Sequence, residues 1–218
     1  MGCTKFGAVN TGHITGPVQT TGGRNWMNDL STTPLDELDV ETGTRPSAPA
    51  LAHVSAAQRE KGRHLAAIHA HYLQDMARLS AVIDRIEAGD SPPAHLEQIV
   101  LASDMAQNFA AFGNLCGQGC QMLTMHHNIE EHHMFPEIEG RAAPFAALIA
   151  RLREEHKVVH ELLNRLAGCA ERLTRSPDAE GFAETRDVFR ALLRAIQSHF
   201  HYEETELESA IGVYVDRI

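Results

Sequence analysis

Residues 120–139 read CQMLTMHHNIEEHHMFPEIE. His126 and Glu130 lie four apart, which on an α-helix places them on one face about 6 Å apart along the axis. The apolar residues leading into them, Ile99, Phe109, Phe112, Cys116 and Leu123, recur at helical spacing and project onto 126 and 130. His127 and Glu131 have the same mutual spacing but are rotated by about 100°. A stripe through them includes Cys120 but also the polar Thr124, and is the weaker one. The sequence therefore predicts that His126 and Glu130 face the interior, that only one of the two pairs does so, and that His127 is replaceable with little loss.

The same spacing returns downstream. EEHKVVHELLNRL at 154–166 places His156 and His160 on a stripe with Ile149, Leu152, Val159, Leu163 and Leu166. HFHYEETEL at 199–207 places His199 and Glu203 on a stripe with Phe182, Phe189, Leu192, Ile196 and Leu207. Upstream, IHAHYLQDMARL at 68–79 carries His69 on the seam of Leu65, Tyr72, Met76, Leu79, Ile83 and Ile86, while His71 points outward. These stripes predict four helices. The first runs from Ser55 to about 88 and stops at Gly89-Asp90-Ser91-Pro92-Pro93. The second runs from Ala94 to Met134, is kinked near Gly113, Gly117 and Gly119, and ends at Pro136. The third starts at Pro144. The fourth follows Ser176-Pro177, read as an N-cap and a first-turn proline. No strand signal is present, so the fold class is all-α, an antiparallel four-helix bundle.

Residues 1–55 read differently. They hold seven of the 16 glycines and four of the nine prolines, with no sustained period. The chain therefore divides into a Gly/Thr/Pro-rich N-terminal extension at 1–55, partly disordered or docked through Trp26, Met27 and Leu30, and a bundle at 56–218. Deleting residues 1–50 is predicted to leave metal content intact, because no ligand candidate on the stripes lies before 69.

Composition narrows the function classes. Nineteen Lys+Arg against 29 Asp+Glu give a net charge of −10, which argues against nucleic acid or an anionic membrane as partner. No apolar run approaches the ~18–20 residues of a membrane span. Met1-Gly2-Cys3 resembles an acylation site, but Phe6 stands where the myristoylation pattern wants Ser or Thr. Four cysteines at 3, 116, 120 and 169 form no disulfide framework, which predicts a reducing, cytoplasmic setting. Cys116 and Cys120 read as small buried apolar residues.

The histidines are the outlying feature: 14 in 218 residues, 12 of them between His64 and His201. A single histidine on an apolar face is usually an ordinary core residue. Five imidazoles and two carboxylates in one core are another matter, since each buried unpaired group costs several kcal/mol. A metal turns that cost into binding energy, and imidazole with carboxylate suits iron, manganese or zinc. If both carboxylates bridge two metals, the five nitrogens split three and two. With one bridging solvent oxygen, one metal then reaches six ligands and the other five, leaving a position open for dioxygen, peroxide or nitric oxide.

Across about 60–212 these segments resemble the hemerythrin-like, or HHE cation-binding, family. The resemblance implies a non-heme di-iron centre, oxo- or hydroxo-bridged, held by His69, His126, Glu130, His156, His160, His199 and Glu203, with zinc and manganese not excluded. Oxygen-carrying members close with His-x-x-x-x-Asp. This chain has His199-x-x-x-Glu203, with Glu204 at the fifth place, like bacterial and fungal relatives, which points away from simple oxygen carriage. Glu131 and Glu204 hold the same place in their two motifs and are candidates to orient ligand imidazoles. The implied role is to bind or react with a small diatomic or peroxide ligand in sensing, scavenging or storage. The alternatives are a catalase- or peroxidase-like or nitric-oxide-consuming enzyme, and an iron-responsive regulatory or iron-centre repair protein acting through a partner.

Overall fold

The computed structural model describes residues 29–89 and 118–216. Ser55 starts the bundle: its side chain accepts from the Gln58 N–H at 3.2 Å, and Gln58 accepts from the Ser55 N–H at 2.8 Å, a reciprocal cap. Helix α1, Ala56–Gly62, breaks at Arg63 before α2, His64–Glu87, where one continuous helix was expected. Here α1 crosses the last helix with backbones in contact. A Cβ on Gly62 would collide with the carbonyl of Glu208, and one on Gly212 with that of Gln58. Helix α2 closes at Gly89 with φ +71°, the left-handed stop that glycine adopts without strain.

Helix α3, Gln118–Ile129, runs into a single π turn, Glu130–Met134, and on into α4, Phe135–Arg141. Pro136 thus does not end this helix. It has no N–H to donate, and it falls at the junction where the π turn, closed by Phe135 N–H to Glu130 C=O, gives way to α-helical bonding. The expected kink at Gly113 and Gly117 lies outside the described residues. Helix α5 is Ala146–Arg175 and α6 is Ala179–Tyr214. The cap of α6 is Asp178, whose carboxylate accepts from Gly181 N–H at 2.7 Å, rather than Ser176. No strand occurs among the described residues, and the architecture is the all-α bundle that the stripes require. No helix among them is long and apolar enough to cross a membrane.

The interior has two apolar clusters with a polar layer between them. Along α2 the order is Leu65, His69, Tyr72; along α5 it is Leu152, His156, Val159. Along α6 it is Phe200, Glu203, Leu207. In each helix the polar residue separates a member of one cluster from a member of the other. The extension contributes to the core as well. Its 3₁₀ turns, Leu30–Thr32 and Leu35–Glu37, lead to Leu38 and Val40, both buried in the first cluster. Arg165 of α5 donates to the carbonyls of Leu30, Ser31 and Thr33 at 2.7–3.1 Å.

Candidate metal centre

Helix α3 supplies more of the polar layer than one stripe was expected to allow. At ~100° per residue, and taking Leu123 as origin, 126 falls near −60°, 130 near −20°, 127 near +40° and 131 near +80°. A buried face about 100° wide therefore takes in 126, 127 and 130 together and leaves 131 at its edge. His126, His127 and Glu130 are all buried, and Glu131 is half-buried. The idea that only one pair can face inward treated the face as a line; it is an arc.

Two donor groups result. His127, His156 and His199 form one group, and His69, His126 and Glu130 the other; within each, one ligand atom per residue lies within 4.8 Å of the others. Two carboxylates join the groups. Glu130 Oε1 is 3.0 Å from His126 Nε2 and its Oε2 is 3.5 Å from His156 Nε2. Glu203 Oε2 is 3.7 Å from both His69 Nε2 and His199 Nε2. The nitrogens divide three and two.

The outward-facing nitrogens are all engaged on four of these rings. Nδ1 of His69 meets Glu204 at 2.9 Å, that of His156 meets Glu131 at 2.8 Å, and that of His199 meets Glu155 at 3.2 Å. Nδ1 of His127 meets His160 Nε2 at 3.1 Å. An imidazole that donates from Nδ1 presents a bare lone pair at Nε2, which is the tautomer a metal requires. Inward, Nε2 of His127, His156 and His199, both oxygens of Glu203 and Glu130 Oε2 are buried without a hydrogen-bond partner, and Glu130 Oε1, though 3.0 Å from His126 Nε2, has no aligned donor. Polar atoms orphaned at this density are costly in a sealed core, and cations would satisfy them all. The donor set fits a pair of metal ions.

Burial sets the protonation of the metal-free layer. It lowers His69 and His126 to about 4 and holds His127 and His156 well below the usual imidazole range. It pushes Glu130 and Glu203 well above the usual carboxyl range. Glu155 goes the other way: burial pushes it up, but hydrogen bonds from His199 and Arg45 outweigh burial and bring it down to about 2.

Of the seven residues picked out from the sequence, the structure brings His69, His126, Glu130, His156, His199 and Glu203 together. His160 stays outside both groups. It is half-buried, and its path inward ends at the back of the His127 ring. His127, rather than His160, is the residue that groups with His156 and His199. Glu155 was also missed, although it directly precedes His156. Cys120, read as reduced filler, is disulfide-bonded; Cys169 is free and buried. A groove of about 480 Å³ beside the three-histidine group is lined by Glu131, His132, Arg153, Lys157, His156 and His160.

A helical bundle with a layer of imidazoles and carboxylates at its centre defines a metal-binding protein. Residues 60–211 match the hemerythrin HHE cation-binding domain, and the chain belongs to that family. No curated protein and no solved structure matches it.

Proposed function

We propose that the chain is a non-heme di-iron protein that binds or reacts with dioxygen, peroxide or nitric oxide in sensing, scavenging or storage. One observation carries this reading: Glu130 and Glu203 each stand between a three-histidine and a two-histidine group, with no aligned hydrogen-bond donor on any of their four buried oxygens. His127, His156 and His199 would hold one ion and His69 and His126 the other, with both carboxylates shared. An iron pair in such a site supplies one-electron steps and an exchangeable coordination position. The choice of iron follows the family, since the same donors also suit manganese and zinc.

The groove supports a second reading, an enzyme that consumes peroxide or nitric oxide. It brings solvent, Glu131, His132 and His160 to the wall beside His156, where protons could be delivered. Metal analysis and the visible spectrum of aerobically purified protein, before and after dithionite, azide and peroxide, test the first reading. Two irons per chain and near-ultraviolet bands that respond to azide are expected. One ion, or a colourless zinc protein, overturns it. Sustained peroxide or nitric oxide consumption selects the enzyme reading.

A further inference from the structure

The three carboxylates that hold outward imidazole nitrogens are not braced alike. Glu131 is held from within the bundle by Arg153 at 3.0 Å, and Glu204 lies at the surface edge. Glu155 is 1% exposed, and its brace comes from the N-terminal extension. Arg45 donates from Nε to one oxygen and from its terminal nitrogen to the other, both at 2.8 Å. Arg151 donates to Glu155 at 2.9 Å and reaches the Glu41 carbonyl as well. The Arg45 guanidinium lies 4.5 Å over the ring of Tyr202, whose hydroxyl donates to the Pro46 carbonyl at 2.6 Å. Glu155 then accepts from His199, whose other nitrogen faces the centre 3.7 Å from Glu203. Arg45 lies outside the matched span 60–211, so this brace reaches the layer from outside the matched domain.

We infer that residues 41–48 form a strap that locks the three-histidine side of the centre, with Arg45 a positioning residue acting through Glu155 on His199. The inference rests on the two-metal reading of the site. It puts to the test the expectation that residues 1–50 can be removed with metal content intact. Without Arg45, Glu155 keeps one arginine on one oxygen, and its other oxygen loses the fork that aims it at His199. Losing an outer partner of a ligand imidazole typically costs about 10–100-fold in metal affinity. The coupling is reciprocal: a strap that tightens metal binding is itself tightened, by the same factor, when metal binds.

The test uses full-length iron-loaded protein, its metal-free form, and the variants Arg45→Met and Arg45→Lys. Iron release into excess chelator and amide hydrogen exchange over residues 41–50 are measured. Arg45→Met should release iron roughly 10-fold faster, at the low end of that range, with Arg45→Lys in between. In the unaltered protein, exchange over 41–50 should slow by a similar factor on iron loading; in Arg45→Met that difference should vanish. The exchange comparison on the unaltered protein needs no variant. If Arg45 merely pins the extension, Arg45→Met will speed exchange equally with and without iron and leave release unchanged, which overturns the inference. An unaltered protein that holds fewer than two ions overturns the di-iron reading instead. The strap is then decided by whether Arg45→Met changes the release of the ion that is held.

Discussion

Residues 126–131, from the end of α3 into the π turn, and 199–204 on α6 share the order His-x-x-x-Glu-Glu but differ at the second place. In α6 the residue after His199 is Phe200, buried and stacked on His69 with ring centres 3.7 Å apart and planes 3° from parallel. In α3 the residue after His126 is His127, buried and stacked on His156 at 4.1 Å and 11°. Two rings play the same packing part, one on each side of the centre, but only one of them carries a nitrogen. That single exchange makes the donor set three and two rather than three and three. The final glutamates also act alike: Glu131 supports His156 on α5, and Glu204 supports His69 on α2. Each motif therefore supplies its own carboxylate to the core and braces an imidazole from a neighbouring helix.

The largest test of this comparison removes a shared carboxylate. Glu203→Leu should lose the paired centre altogether, read as iron per chain. The same change should stabilise the metal-free protein, because an unpartnered buried carboxyl is replaced by an apolar side chain of similar volume. A buried acceptor left without a partner costs about 1–3 kcal/mol, which the replacement recovers. Thermal melts should therefore move up by several degrees without iron, while the gain from adding iron disappears. A metal-free melt that drops would mean Glu203 is satisfied by protein groups and is not waiting for a cation.

The next effect down concerns the second place itself. His127→Phe copies the α6 arrangement and leaves two imidazoles on each side; it should hold at most one tightly bound iron. His160→Ala removes only the group behind the ring and should weaken binding by about 10–100-fold. Phe200→His runs the exchange backwards. It should keep two irons but blunt the spectral response to azide, since a third imidazole would compete for the open position beside His69 and His126. If His160→Ala empties the site while His127→Phe leaves it filled, the fifth ligand is His160 and α3 sits differently against α5.

Much of this was legible in the spacing. The bundle, the Ser55 start and the inward face of each helix followed from 3.6-residue periodicity, and Glu131 and Glu204 followed from their place in the two motifs. His127 was not legible, because a stripe drawn through Leu123, His126 and Glu130 does not reveal how wide the buried face is. The answer depends on how close α5 and α6 approach, which is tertiary. The π turn at Glu130–Met134 leaves no composition signal either. Arg45 was the hardest to foresee. Its partner is 110 residues away, and it stands in a segment whose glycines, prolines and threonines read as linker.

The smallest expected difference lies between the two bracing glutamates. In Glu131→Gln the amide must face two donors at once: His156 Nδ1–H and the Arg153 guanidinium, now at 2.8 and 3.0 Å from separate oxygens. A glutamine has one oxygen to offer, so its NH₂ group would point at one of those donors. Arg153 has Glu139 to fall back on, at 2.7 and 2.9 Å, but the conflict at His156 remains. In Glu204→Gln the bond at stake is the one to His69; the side chain is about a third exposed, and the amide oxygen can keep that bond with NH₂ turned to water. Iron release into chelator should therefore quicken roughly 10-fold for Glu131→Gln, and by less than that for Glu204→Gln. Equal rates, or the reverse order, would show that charge alone, rather than the number of donors each carboxylate serves, sets how firmly the two motifs hold their imidazoles.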